Sequence, residues 1–352
     1  MMLSIVKVFA PTAIAFFLGI AMTPVLTHYL YKHRLWKKKS GKVAPDGRDT
    51  PIFNKLHAHK ETGTPRMGGI IIWASALLTI AVIWIISQIF PTDITTKLDF
   101  LSRNQTWLPL FTLLVASGLG LVDDWLQIRE PKDGQNGGLS FSRRLVVVTA
   151  LGLGAGWWFY YKLGVSTIHI PFGADLEVGV WLIPIFIGIM LALFSSGVID
   201  GIDGLSGGIM SIIFGAYAGI AFFQNQIDLA AFCAVIMGGT LAFLWFNIPP
   251  ARFYMSETGI LGLTTTLTVV AFLTDSALWL PIIAFPLFIT SLSVVIQLVS
   301  KKLRHGRKIF LVAPVHHHFE AIGWPAAKVV MRYWVVGIIT AIIGMILILL
   351  DK

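Results

Sequence analysis

A chain of 352 residues that is 56% hydrophobic and only 13% charged, with a mean hydropathy of +0.78, is not a soluble globular protein; those carry about a quarter charged residues. The net charge of +9 does not point to nucleic acid, because the cations sit in connections between apolar runs. The single cysteine, Cys233, lies inside such a run and excludes a disulfide framework or a thiol metal site.

The fold class expected is an all-α polytopic membrane protein. Ten spans are predicted, at about 5–28, 67–90, 107–122, 145–161, 180–199, 205–223, 229–246, 260–274, 277–299 and 333–350. The first lacks a basic leader and a small-residue cleavage site, so it reads as a retained span. Segments 31–66, 123–144, 247–259 and 300–332 hold 22 of the 27 Lys and Arg residues. The positive-inside rule places them and the 200–204 turn in the cytoplasm, and both termini outside. On the outer face, residues 166–178 alternate around a Pro/Gly turn and predict a small β-hairpin. Pro281 and Pro286 predict a kink or break in the ninth span. No internal repeat of the transporter kind is present, and residues 1–352 read as one integral membrane domain.

Five stretches on the cytoplasmic face carry chemistry. In Lys60-Glu-Thr-Gly-Thr-Pro-Arg-Met-Gly-Gly69, Lys60 and Arg66 suit phosphate, and the backbone around Thr64 can donate N–H groups. Asp123-Asp124 ends the third span, where two carboxylates oppose the helix dipole. A sequence accepts that cost more readily beside a cation such as Mg²⁺, which takes one or two carboxylates plus water and phosphate oxygens. In Gly197-Val-Ile-Asp-Gly-Ile-Asp-Gly-Leu-Ser-Gly-Gly208, Asp200 and Asp203 stand three apart. At the start of a helix they would share one face. Capping accounts for one of them, not both, and an acidic pair at the edge of a span marks a functional site. Asn247-Ile-Pro-Pro-Ala-Arg-Phe-Tyr-Met-Ser-Glu-Thr-Gly259 joins Tyr254, a stacking surface or an interfacial aromatic, to Glu257. Last, Ala313-Pro-Val-His-His-His-Phe-Glu320 offers His316, His317 and His318 as donors to phosphate. Three consecutive histidines do not make an i, i+4 zinc site.

These stretches, from Lys60 to Arg332, resemble the bacterial phospho-N-acetylmuramoyl-pentapeptide transferases, within the polyprenyl-phosphate N-acetylhexosamine-1-phosphate transferase superfamily. The acidic motifs are those of the superfamily; the triple histidine with its Pro and Phe-Glu is that of the muramoyl-pentapeptide branch. The resemblance implies transfer of phospho-MurNAc-pentapeptide from UDP-MurNAc-pentapeptide to undecaprenyl phosphate, giving lipid I and UMP, with Mg²⁺ as cofactor. It implies the bacterial cytoplasmic membrane as location, the lipid bilayer as partner, and leaves a homodimer open. It also implies roles. Asp123 and Asp124 serve deprotonation or positioning of the lipid phosphate and metal binding, Asp124 together with Glu257 as metal ligands. Asp200 and Asp203 order the nucleotide and the active site, and Lys60 holds phosphate. Tyr254 stands where a uracil-stacking Phe is usual, Asn247, Thr64 and Arg66 belong to the substrate-binding set, and the histidines bind the phosphate-bearing part of the substrate.

The chain departs from the family pattern at named positions. Phe194 and Gly197 stand where Asn is usual, Gln127 where Lys is usual, and Glu257 where the metal-ligand Asp is usual, with Ser256 replacing a Gly. Two other readings follow from the residues: a relative using another UDP-N-acetylhexosamine, and a transporter or weakened paralogue that binds lipid phosphate. Acids at span ends rather than at the midplane argue against transport.

Overall fold

The computed structural model describes residues 2–38, 62–101, 105–129 and 138–351. The chain is an all-helical, multi-pass membrane protein, and among the described residues nine helices are long and apolar enough to cross a bilayer. In chain order these begin with α1 (Met2–Lys32), α2 (Ile70–Ile89) and, after the short α3 (Asp93–Leu98), α4 (Trp107–Ile128). The span predicted at 145–161 is α5 (Phe141–Trp157), which at 17 residues is not one of the nine and hands over to a π-helical turn at Trp158–Lys162. Then come α6 (Leu182–Ser195), a 3₁₀ turn at Ser196–Ile199, α7 (Leu205–Phe223), α8 (Ile227–Asn247) and α9 (Ser256–Leu273).

The three helices α7, α8 and α9 form the centre and are buried nearly all round, as expected of helices that are apolar on every face. Within α9, Thr264, Thr265 and Thr268 are fully buried, and each hydroxyl donates to a carbonyl one turn back. That local bond lets a polar side chain sit in an apolar bundle at little cost. The outer helices keep broad exposed apolar faces, such as Phe9, Phe17, Ile339 and Ile346, which suit lipid.

The break expected in the ninth span is present, and two other boundaries differ from expectation. The ninth predicted span is broken into α10 (Leu280–Ile283) and α11 (Phe285–Leu303). Pro281 and Pro286 each fall in the first turn of their helix, where a missing N–H costs nothing. The eighth predicted span, begun at 260, starts four residues earlier in α9, so Glu257 lies within its first turn and not before it. The last helix, α13 (Ala326–Asp351), follows the short α12 (Val315–Ala321) and starts before its apolar run. Its polar first turns are held by Lys328 and Arg332 over the Trp324 ring, at 4.8 and 4.3 Å.

The predicted hairpin is present. β1 (Thr167–His169) pairs antiparallel with β2 (Asp175–Glu177), in the register Thr167 to Glu177 and His169 to Asp175. It docks on the end of α13, where Asp351 accepts from the Phe172 N–H at 2.7 Å and the Trp279 indole at 3.2 Å.

Candidate active site

Two glycines set the geometry. A Cβ on Gly120 of α4 would lie 2.1 Å from the Glu257 carbonyl oxygen, and one on Gly69 would lie 2.3 Å from the Gly259 nitrogen. Only hydrogen fits at either place, so α4 and the start of α9 meet backbone to backbone. The segment before α2 then runs alongside residues 254–255. Tyr254 N–H donates to the Pro65 carbonyl at 2.9 Å, Gly68 N–H to Tyr254 at 2.8 Å and Gly69 N–H to Met255 at 3.2 Å. Three stretches far apart in sequence are thereby fixed around one point.

At that point stand the acids. Asp124 is fully buried, and both of its oxygens are engaged. Oδ1 accepts from Arg66 Nε and Nη2, each at 3.1 Å, and Oδ2 from Thr258 N–H at 2.9 Å and its hydroxyl at 2.6 Å. Asp123, also buried, pairs through Oδ2 with Arg144 Nη2 at 2.8 Å and Gln127 Nε2 at 3.0 Å, and through Oδ1 with the Leu139 N–H. The other end of the Arg144 guanidinium grips Glu257 Oε1. Two arginines thus hold three carboxylates in two adjoining sets, Arg66 with Asp124 and Arg144 with Asp123 and Glu257, through charge-assisted hydrogen bonds of the strong kind. Arg66 feels Asp124, Glu257 and Asp200 together, which puts it at the centre of the negative charge.

Asp200 lies next to this network. Its oxygens accept from the Ser206 hydroxyl at 2.7 Å and the Ser256 N–H at 2.9 Å. Burial pushes its carboxyl above the ordinary carboxylate range, against the pull of those two donors. The expectation that Asp200 and Asp203 share a helical face is corrected here. Both belong to a turn between the 3₁₀ segment and α7, and the residue before the helix is Gly204 at φ +82°, which no carboxylate caps. Glycine takes that left-handed conformation without strain. Asp203 is half-buried on the same turn.

The histidines close the other side. His316 and His317 are buried on α12 while His318 points outward, so the run splits by direction as a short helix requires. A Cβ on Gly201 would stand 2.8 Å from Nε2 of both His316 and His317, so the two rings rest directly on the acidic turn. His317 Nδ1 meets Glu320 Oε2 at 2.7 Å, which orients its ring. His318 Nδ1 accepts the Leu311 N–H at 3.2 Å and so also helps fold its own loop.

Other expected residues fall as follows. Asn247 is buried with its amide spanning two backbone groups, accepting from Gly204 N–H at 2.8 Å and donating to the Phe253 carbonyl at 2.9 Å. Its side chain therefore shapes the site from behind. Thr64 and Tyr254 are half-buried at the edge of the paired segments. Lys60 lies outside the described residues. Gln127, in the place of a Lys, is spent on Asp123 one helical turn back. The helix also runs one turn past Asp123-Asp124, to Ile128, so the pair sits inside α4 and not at its end.

Sequence reasoning passed over four residues. Arg144, Thr258 and Ser206 hold the carboxylates, and Trp334 donates its indole N–H to the Gly204 carbonyl at 3.2 Å while packing on Gly208. Arg144 looked like any cation of a positive loop. Thr258 and Ser206 did have a signal, each being a small hydroxyl beside a motif acid.

The donor chemistry suits a hard divalent cation. Asp123, Asp124, Glu257 and Asp200 outnumber Arg66 and Arg144, and Mg²⁺ prefers carboxylate oxygen. Among the described residues no group of three ligating side chains forms a ready cage. Mg²⁺ does not need one, since it is commonly held by one or two carboxylates and the substrate's phosphates.

Comparison with known proteins gives the family. The profile of Glycosyl transferase family 4 matches residues 106–275, which include both acidic motifs and Glu257. The phospho-N-acetylmuramoyl-pentapeptide-transferase of Geobacillus sp. (strain WCH70) is 36% identical over 289 residues, covering 81% of this chain and 84% of its own. The protein of the same name from Listeria innocua is 32% identical over 94% of this chain and 95% of its own. That from Chloroflexus aggregans is 29% identical over 96% and 88%.

Proposed function

The chain belongs to the phospho-N-acetylmuramoyl-pentapeptide transferase family, and we propose that it moves phospho-MurNAc-pentapeptide from UDP to undecaprenyl phosphate, forming lipid I and UMP in peptidoglycan synthesis. The observation that carries this reading is the Arg66–Asp124 and Asp123–Arg144–Glu257 network, with Asp200 and the histidine pair beside it, at one end of an apolar bundle. Such a place lets a water-soluble donor meet a lipid acceptor.

A phosphate oxygen of the acceptor attacks the phosphorus that bears the sugar, and the bond from that phosphorus to the UMP oxygen breaks. Phosphoryl transfer of this type rests on positioning and charge neutralisation. Arg66 and Arg144 lie where positive charge is needed, and both are already held in place by carboxylates. Asp123, held by Arg144 beside Glu257, takes or orients the acceptor's proton. Asp200 and Asp203 order the nucleotide end, Tyr254 offers a surface for the base, and Lys60 and Thr64 complete the phosphate contacts. His316 and His317 face the phosphate-bearing part of the donor, with Glu320 setting the His317 ring, and His318 on the outward side of the same turn reaches the donor from the loop. Asn247 keeps the 204 turn and residue 253 in register beneath them. Asp124 and Glu257 would hold Mg²⁺, which would supply charge neutralisation of the pyrophosphate. The whole of residues 1–352 acts as one transferase unit in the bacterial cytoplasmic membrane, with the site on the cytoplasmic face.

The test is donor choice. Purified protein with undecaprenyl phosphate and Mg²⁺ should release UMP from UDP-MurNAc-pentapeptide at least about a hundredfold faster than from UDP-N-acetylglucosamine, since missing contacts to a recognised group cost several kcal/mol. Equal release from both, or release from the smaller donor alone, overturns the assignment.

A further inference from the structure

Between the end of α1 and the end of α4 lies an open cavity of about 510 Å³. Leu35 and Ile128 give it an apolar floor, while Arg34, Lys38 and Arg129 give it cationic walls and His33 adds an imidazole. Arg129 is laid flat over the Trp125 ring, 3.6 Å from its centroid, a stacking that fixes the guanidinium without using its N–H donors. Among the described residues no carboxylate lines the cavity, and Arg34, Lys38 and Arg129 take part in no ion pair.

Its depth in the bilayer follows from its neighbours. Tyr29, Tyr31 and Trp125 are all exposed at these same helix ends, the position of an interfacial aromatic belt. The cationic shelf is built, not loose. Leu35 N–H closes back on the Leu30 carbonyl at 3.0 Å, and the Leu35 carbonyl accepts the Arg66 N–H at 2.9 Å. Positive charge here is therefore fixed to the same segment that grips Asp124, yet it faces a separate cavity.

We propose that this cavity binds the headgroup of an anionic glycerophospholipid of the surrounding membrane. Chemistry favours that occupant over a soluble anion. A phosphodiester brings its charge to Arg34, Lys38 and Arg129 while its acyl chains cover Leu35 and Ile128 and lie along the apolar flanks of α1 and α4. Basic pockets between helices at the interface recognise lipid headgroups in this way, with each Lys or Arg contributing about 1 kcal/mol, or roughly fivefold in affinity.

The experiment uses the full chain in nanodiscs of phosphatidylcholine doped with phosphatidylglycerol, reading the phosphatidylglycerol retained by native mass spectrometry after transfer to detergent. Wild type should retain it. The triple variant Arg34→Gln, Lys38→Gln, Arg129→Gln should need roughly a hundredfold more lipid for equal retention. A control triple elsewhere on the same face, Lys302→Gln, Arg304→Gln, Arg307→Gln, should behave as wild type. Equal loss in the control means diffuse surface attraction and overturns the site. Displacement by millimolar inorganic phosphate means a soluble-anion site, and displacement by undecaprenyl phosphate alone means an acceptor subsite; either overturns the proposal. If the triple variant does not fold, as judged by its melting in plain phosphatidylcholine discs, Arg129→Gln alone should show the fivefold change, and no change there overturns it.

Discussion

At Glu257 a single carboxylate shares Arg144 with Asp123, although 113 residues separate it from that arginine. Glu257→Gln removes the charge and leaves Arg144 on Asp123 alone, whereas Glu257→Asp keeps the charge on a shorter arm. The first should lower turnover about a hundredfold, in the range for losing one acid or metal group, and should weaken Mn²⁺ binding followed by electron paramagnetic resonance. The second should retain part of both. An unchanged rate and an unchanged Mn²⁺ midpoint in Glu257→Gln would remove it from the ligand set. The acids were readable in the sequence because charge beside a span is costly. Their partners were not. Nothing local separates Arg144, which bridges two acids, from Arg143 beside it, and only the meeting of α4 with α9 decides between them.

Elements away from the site carry their own chemistry. His169 of β1 meets Asp175 of β2 at 2.7 Å through Nδ1 and Asp351 of α13 at 2.8 Å through Nε2. A neutral imidazole has one N–H and can serve only one carboxylate, so the protonated ring fits this place. The Asp175 bond, with Asp351 behind it, raises the His169 pKa above its ordinary value. The sign follows: a raised folded pKa adds stability in full below the unfolded value of about 6.5, and that stability is lost as pH climbs through the folded value. Protection factors of residues 167–177, exchange rates corrected for intrinsic base catalysis, should thus fall between neutral and mildly alkaline pH, and His169→Gln should flatten that dependence. A wild-type profile without pH dependence would show that the hairpin is held by Phe172 and Trp279 alone. The hairpin itself was legible from alternation around a Pro/Gly turn. Its anchor was not, because Asp351 is 182 residues away from His169.

For the whole molecule, apolar length made the multi-pass architecture legible and placed most of the helices. The break at Pro286 was legible as well; where the reading failed, a polar residue changed a boundary, as when Glu257 moved inside α9. The pattern of basic connections predicts sidedness. A reporter fused at Gly306 should be cytoplasmic and one at Gly173 external; both on one side would break the case that every motif faces the nucleotide-containing compartment. That case converges on Asp124, whose four hydrogen bonds from Arg66 and Thr258 hold together the segments before α2, within α4 and at the start of α9. The most direct measurement is UMP release from UDP-MurNAc-pentapeptide and undecaprenyl phosphate by Asp124→Asn, in protein whose melting shows it folded. A fall of at least about a hundredfold is predicted, and near-wild-type release would contradict the placement of the transfer centre at this network.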